Sequence, residues 1–251
     1  MHAVQTPAQR QERPMPPSLD QLRQHLRAMI LPLGFSGFWY QGIPHHARQN
    51  YNAPCRSQLF TPAALRRPVA TLASSSQVQS LQRLYLSRVA RQDPNFEQSL
   101  DLSSPHRYCL DPAVAPQAAR LFLNHDVTSV LSWPLPSFGL SAWSGRFILL
   151  STQQRDSTTK EELEQTLRQG QALLLDSHRT SFNPYRQSRL FNPTAIEVLK
   201  MAALGFHNHE IAERLHITAR GVEYHMESLR NKLGAANRAN LIHIAHQFEL
   251  F

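Results

Sequence analysis

The sequence predicts an α+β chain. An N-terminal α/β/α layered domain with an antiparallel sheet is followed by a purely helical four-helix domain. Three observations predict this. Up to about residue 182 the order is helix, strand, helices, strands and one long helix, as a layered domain requires. Two β-rich runs, "VTSVLSWPL" and "RFILLST", are joined by the glycine-containing "PSFGLSAWSG", which fits neighbouring antiparallel strands. Beyond residue 191 only the 3–4 spacing of helices remains. The expected boundaries are a disordered arm over 1–17, a layered domain over 18–182, a linker over 183–190 and a helical domain over 191–251.

In order, Ser18 to Leu33 reads as an amphipathic helix with Leu19, Leu22, Leu26, Met29, Ile30 and Leu33 on one face. "GFSGFWYQGI" (Gly34 to Ile43) is aromatic-rich and reads as a strand. A Pro-rich polar stretch with Pro44, Pro54, Pro62 and Pro68 follows. Ser76 to Arg91 is a second helix, stopped by Asp93-Pro94, because the residue before proline is pushed out of the helical region. Ala113 to Asn124 is a third, with Pro112 in its first turn. After the two β-rich runs, Thr159 to Thr180 is a long helix carrying Leu163, Leu167 and Leu173 to Leu175, and "SFNPYRQSRLFNP" reads as a linker.

The last four helices carry clear punctuation. Asn192 caps the first, with Pro193 at its opening position and Gly205 at its stop. The second, Asn208 to Leu215, buries Ile211 and Leu215. Only His216 and Ile217 separate it from Thr218, the N-cap of a third helix burying Val222, Met226, Leu229 and Leu233 up to Gly234. The fourth runs from Arg238 to Glu249. Two helices joined by so tight a turn cross steeply and leave the second projecting. A projecting helix fits the ~12 Å major groove of DNA. Its outward residues are Arg220, Glu223, Tyr224, Glu227 and Arg230; Arg220, Arg230, Lys232 and Arg238 can bind phosphates. Glu223 and Glu227 are repelled by phosphate, so they suit cytosine amino groups or the orientation of neighbouring arginines. A plain helical bundle with a solvated charged face fits the spacing too.

Composition sets the frame. The 251 residues are 41% hydrophobic and 18% charged, enough for two modest domains. No apolar run approaches the ~18 residues of a membrane span. The Pro- and Gln-rich start lacks the apolar stretch of a secretory signal. Cys55 and Cys109 cannot form a disulfide framework, which fits a cytoplasmic protein with free thiols. A net charge of +8 points to polyanionic partners. However, residues 191–251 hold six Lys/Arg and six acids, so bulk charge does not locate a nucleic-acid site.

The stretch "PTAIEVLKMAALGFHNHEIAERLHITARGVEYHMESLRNKLGAANR" resembles the C-terminal DNA-binding domain of the LuxR family of bacterial transcription regulators. "EIA" with Leu215, "VE" with His225, "KLGA" and Asn237-Arg238 match in register. The resemblance runs from about Phe191 to Gln247. It implies a helix-turn-helix over Asn208 to Glu227, with Thr218 at the head of the recognition helix. Three positions depart from the family: Ala195 replaces an acid that closes a capping box, His207 replaces Ser or Thr, and Gly221 replaces Thr. A mid-helix glycine costs on the order of 1 kcal/mol.

The upstream domain, about Ser18 to Ser181, resembles the autoinducer-binding domain of quorum-sensing LuxR regulators, most clearly at "RQDPNF". By that resemblance Asp93 accepts from a ligand amide. Counting from it places the family's Trp and Tyr at Ser80 and Leu84 (Tyr85 is one place off), its downstream Trp at Tyr108 and a Gly near Val130. The expected result is an altered pocket that does not answer to ordinary acyl-homoserine lactones. Asp93 equally suits an N-cap or turn. The family also implies dimer contacts through the long helix and the final helix, and an RNA polymerase contact is compatible with it.

Other chemistry is thin. Thirteen histidines supply no third ligand at zinc-site spacing. "GFSG" and "SAWSG" are not nucleophile elbows, and no glycine-rich phosphate loop occurs. The expectation is a regulator and not an enzyme, with no metal or cofactor beyond an unidentified small-molecule signal. Its partners are double-stranded DNA and a second copy of itself. The alternative is an interaction protein that heterodimerises with an intact family member and inhibits it.

Overall fold

The computed structural model describes residues 16–52, 59–136, 139–152 and 159–251. The expectation of a disordered arm therefore falls, for residues 1–15, outside the described residues, as does Cys55. α1 (Leu19–Ile30) starts at a reciprocal capping box: the Ser18 hydroxyl accepts from the Gln21 N–H and the Gln21 side chain accepts from the Ser18 N–H. β1 (Gly37–Pro44) follows. The Pro-rich stretch holds two short helices, α2 (Ala47–Asn52) and α3 (Pro62–Leu65), then an edge strand β2 (Thr71–Ala73). Pro62 opens α3 behind the Thr61 cap, so proline starts this helix where a polar loop was expected.

α4 (Ser76–Leu84) runs on as a π-helical turn (Tyr85–Val89). α5 (Pro94–Ser99), capped by Asp93, and β3 (His106–Arg107) come next. α6 spans Pro116–Leu123, three residues later than the expected start at Ala113. The Asp111 carboxylate takes the Ala113 N–H and its carbonyl the Val114 and Ala115 N–H groups. A turn therefore occupies that stretch, and Pro116 becomes the first helical residue. β4 (Ser129–Leu135), β5 (Trp143–Ser151) and α7 (Lys160–Phe182) complete the layered part.

The sheet order is β2-β1-β5-β4-β3, antiparallel throughout. β1 and β5 are buried along their whole length, because helices cover both faces. Phe38, Tyr40 and Phe147 face α1 and α7, where Tyr40 meets Phe182 edge to face at 5.2 Å. Trp39, Gln41, Arg146 and Val130 face the opposite layer, made of α4, the π-helical turn, α5 and α6. A side chain on Gly42 would collide with the carbonyl oxygen of Phe182, which fixes how closely the end of α7 lies on the sheet.

The helical part comprises α8 (Pro184–Gln187), α9 (Pro193–Ala203), α10 (Asn208–Leu215), α11 (Ala219–Leu233) and α12 (Arg238–Gln247). The stretch expected as a linker holds α8, with Pro184 and Tyr185 buried. α12 stops two residues short of Glu249, where the chain turns at φ 51° and docks. Asn183 Nδ2 donates to the Phe248 and Glu249 carbonyls at 2.8 and 3.2 Å, and Tyr185 stacks on Phe248 at 4.0 Å. Arg179 grips the Glu249 carboxylate through Nε and Nη2 at 2.8 and 2.6 Å, and Ser141 bonds the same group. Leu250 is buried behind it.

Partial burial pushes the Glu249 carboxyl up, yet hydrogen bonds from Arg179 and Ser141 and the Arg179 charge outweigh it and hold the pKa below the ordinary value. A folded pKa held down adds stability above the unfolded value, and that stability is lost as pH falls through the folded value. Acidification below the usual carboxylate range should therefore loosen the dock. Glu249→Gln should reproduce part of this at neutral pH, costing ~1–3 kcal/mol in urea unfolding. The wild-type advantage should vanish in acid; an equal gap at both pH values would contradict the assignment.

Candidate nucleic-acid interface and buried polar cluster

α10 and α11 form the tightly turned pair. The turn rests on His216 in the left-handed region at φ 53°, ψ 41°, a conformation histidine tolerates better than most residues. Thr218 caps α11 by accepting from the Gly221 N–H at 3.0 Å, and Gly234 closes it at φ 65°. Val222 and Leu229 are buried, and Val222 joins Val198, Ala202, Ile211 and Ala212 in a small core. Thr218, Arg220, Glu223, Tyr224, Glu227, Arg230, Lys232 and Arg238 are all exposed, Tyr224 by 70%.

Their partners differentiate them. Glu227 holds Arg230 at 3.0 Å, the orienting role open to it from the sequence. Lys232 donates to the Leu190 carbonyl and lies over the Phe191 ring. Arg238 bonds Asn208 at 3.1 Å and the Phe206 carbonyl at 2.7 Å. It ties the start of α12 to the chain entering α10, and its donors are largely engaged inside the domain. Glu210 accepts from the His207 N–H at 2.6 Å; that bond first, then nearby His209, His207 and Arg214, lowers its pKa. One departure from the family pattern has a local reason. Ala195 is buried, where a carboxylate would be desolvated. At Gly221 no such reason exists: a Cβ there would meet the Thr218 hydroxyl oxygen at 3.3 Å and Ile217 at 3.9 to 4.0 Å.

Arg220, Glu223, Tyr224, Glu227 and Arg230 line one wall of a cleft of about 1340 Å³. His46, Leu59, Phe60, Tyr185 and Phe248 are among its other lining residues. The face expected to project freely thus looks across this cleft to the layered part.

A model of bacterial regulatory proteins of the luxR family matches residues 191–245. That stretch is therefore similar to the regulatory domain of the luxR family. Over 62 residues the chain is 42% identical to the transcriptional activator protein BjaR1 of Bradyrhizobium diazoefficiens, a span equal to 25% of this chain and 25% of that protein. The matched family consists of regulators of transcription, not enzymes. Among solved structures, Escherichia coli SdiA covers 93% of this chain and 92% of its own at TM-score 0.46 and 14% identity. SdiA in complex with octanoyl-rac-glycerol covers 92% and 89% at TM-score 0.44 and 15% identity. No helix among the described residues is long and apolar enough to cross a membrane.

In the layered part, Asp93, Tyr108 and Val130 are buried together between the sheet and the α4–α6 layer. Ser80 and Leu84 are not with them. Ser80 is exposed and Leu84 half-buried, while Leu81 and Tyr85 point inward. Counting back from Asp93 thus lands one place from the inward positions, and between them and Asp93 lies the π-helical turn over Tyr85–Val89, a feature that lodges an extra residue and shifts the phase of a helix. Tyr85 donates to Asp93 Oδ2 at 2.6 Å. Asp93 Oδ1 takes the Asn95 N–H and Nδ2 at 3.0 and 2.8 Å, so Asp93 is the cap of α5. Burial, then Tyr108 and Asp93, push the Tyr85 phenol far above its usual range. The rings of Tyr85, Phe96, Tyr108 and Phe122 pack at 5.2 to 6.4 Å.

Arg146 also lies in this cluster, 2% exposed. The sequence offered a sign of it, a lone charge at the head of "RFILLST", but strand pattern alone gives no burial for a strand's first residue. β5 begins three residues earlier, which places Arg146 inside.

The domain of α9 to α12 yields two predictions. Gly221→Ala should raise its stability by roughly 0.5–1 kcal/mol in thermal unfolding, provided the Thr218 hydroxyl yields a few tenths of an ångström; a fall would show that the cap cannot. Arg230→Ala should weaken binding across all DNA sequences alike, whereas replacing Tyr224 or Glu223 should change the preferred sequence, at ~1–3 kcal/mol per lost base contact. Selection from a random duplex library separates the two, and identical sites from every variant would remove α11 from base reading.

Proposed function

We propose that this chain is a bacterial DNA-binding transcription regulator of the LuxR type. In this reading it acts in the cytoplasm as a homodimer on double-stranded DNA, linked to quorum sensing, and RNA polymerase is a compatible partner. Its domains are 18–182 for sensing and dimerisation and 191–251 for DNA. The observation that carries the reading is the exposed face of α11, with Arg220, Tyr224 and an oriented Arg230, on a domain of that family. Paired recognition helices then meet half-sites about one DNA turn apart. Because the same face looks into the cleft, binding a duplex requires the two parts to move apart.

Ordinary acyl-homoserine lactones are not its signal in this reading. Leu81 supplies no indole, Val130 fills a position suited to glycine, and both Asp93 oxygens already have donors. The phenol thought absent at Leu84 is present in Tyr85, but it is committed to Asp93. A second reading, an interaction protein that pairs with and inhibits an intact regulator, is favoured by the internal engagement of Lys232 and Arg238.

Binding of the full chain to duplex DNA at several salt concentrations should give a clearly negative log–log slope, about 0.9 per phosphate contact. A slope near zero would support the interaction protein instead. In thermal shift, lactones with short or long acyl chains should leave the melting point unchanged at micromolar concentration. A ligand at 100 times its Kd would add ~2.7 kcal/mol, so a reproducible rise would be visible and would refute insensitivity.

A further inference from the structure

Arg146 sits in the middle of the sheet with its side chain in the interior that faces α4–α6. Nη1 donates to the Ser99 carbonyl at 2.5 Å and the Ser99 hydroxyl at 2.9 Å, and Nη2 to Gln41 Oε1 at 3.1 Å. All three acceptors are neutral. Nε has no acceptor, and among the described residues no carboxylate pairs with this guanidinium. Asp93, in the same layer, is already taken up by Tyr85 and Asn95. Burial presses the Arg146 pKa down while Tyr108 and Tyr85 oppose it, yet an arginine keeps its proton in proteins. The interior therefore holds a fixed positive charge without a counter-ion, a costly arrangement that an anion sharing the site would relieve.

Two more buried atoms of this region lack partners: Gln82 Nε2 on α4 and His106 Nε2 on β3. His106 is paired with Ser132 and so shares the sheet face of Arg146. The surroundings are otherwise aromatic, with the rings of Tyr85, Tyr108 and Phe122 packed at tilted and edge-to-face angles along the layer. The opposing wall is built from short pieces, α5 of six residues and β3 of two, which can shift without unfolding a long helix.

We propose that Arg146 receives the carboxylate of a small ligand with a flat apolar body, bound between the sheet and the α4–α6 layer. A planar carboxylate matches the edge of a guanidinium that carries the free Nε–H, through paired charge-assisted hydrogen bonds. The aromatic rings bury the ligand's body, and His106 or Gln82 meets a second polar group. A neutral lactone cannot supply the missing charge. The inference deepens the proposed sensing role and names the class of signal, an aromatic acid.

The test uses the full chain with phenylacetate, cinnamate and indole-3-acetate, each beside its methyl ester, in thermal shift and calorimetry. At least one acid should raise the melting point by several degrees while its ester does not. Arg146→Gln should lose that acid by more than tenfold, and Arg146→Lys should keep the preference for acid over ester at reduced affinity. If Arg146→Gln fails to fold, the lysine variant and the acid–ester pair carry the test. No binding by any acid, equal binding of acid and ester, or undiminished binding in Arg146→Gln would overturn the site and leave Arg146 a structural tie. DNA retention on the same preparations separates the two failures. DNA binding without acid binding overturns only the Arg146 site, and acid binding without DNA binding overturns only the regulator.

Discussion

One wholly buried amide, that of Asn183, joins the two halves of the molecule. Its Oδ1 accepts from the Tyr185 and Arg186 N–H groups and so starts α8, while its Nδ2 holds the carbonyls of Phe248 and Glu249. The end of the long helix, the connecting helix and the end of the last helix therefore meet at one side chain. A buried amide left unpaired is costly, so the three segments must arrive together. The Arg179–Glu249 pair and the Tyr185–Phe248 stack follow from this placement. Both depend on the docked end of the chain lying within reach of α7 and α8.

The layered part is organised by a different constraint. β1 and β5 are covered on both faces, so every polar group they carry inward needs a partner within the molecule. On the α7 side the Tyr40 hydroxyl donates to Gln171 at 3.1 Å. On the other side the polar groups are more numerous and less balanced. Asp93 is fully engaged, but Arg146 is held by neutral acceptors alone. The two faces of one sheet thus serve different ends, one closed by packing and the other left with unbalanced charge.

Much of this was legible in the sequence because capping chemistry is local. Ser18, Thr159, Asn192, Thr218 and Gly234 each mark a helix end that the structure places at that residue or the next. α11 was legible because its exposed and buried residues obey one period. The short strands β2 and β3 were not, since two or three residues carry no period and exist only through pairing with a longer neighbour. Asn183 and Tyr185 looked like linker because a polar, Pro-containing stretch has no local sign that distant residues will bury it. Counting the family's positions back from Asp93 fell on Ser80 and Leu84 and not on the inward Leu81 and Tyr85, because hydrogen-bond spacing inside a helix cannot be counted from the letters.

The π-helical turn over Tyr85–Val89 bears on how such proteins diverge. A helix that contains one wide turn can gain or lose a residue there, and the segments before and after keep their own faces inward. The change is absorbed as a rotation between two half-helices, and no side chain need be expelled from the core. Sequence alignment would register the same event as a gap, or miss it and transfer residue roles to a neighbour facing solvent. In this chain the interior positions of the helix are therefore a matter of helix phase on each side of that turn, and not of distance along the chain from Asp93.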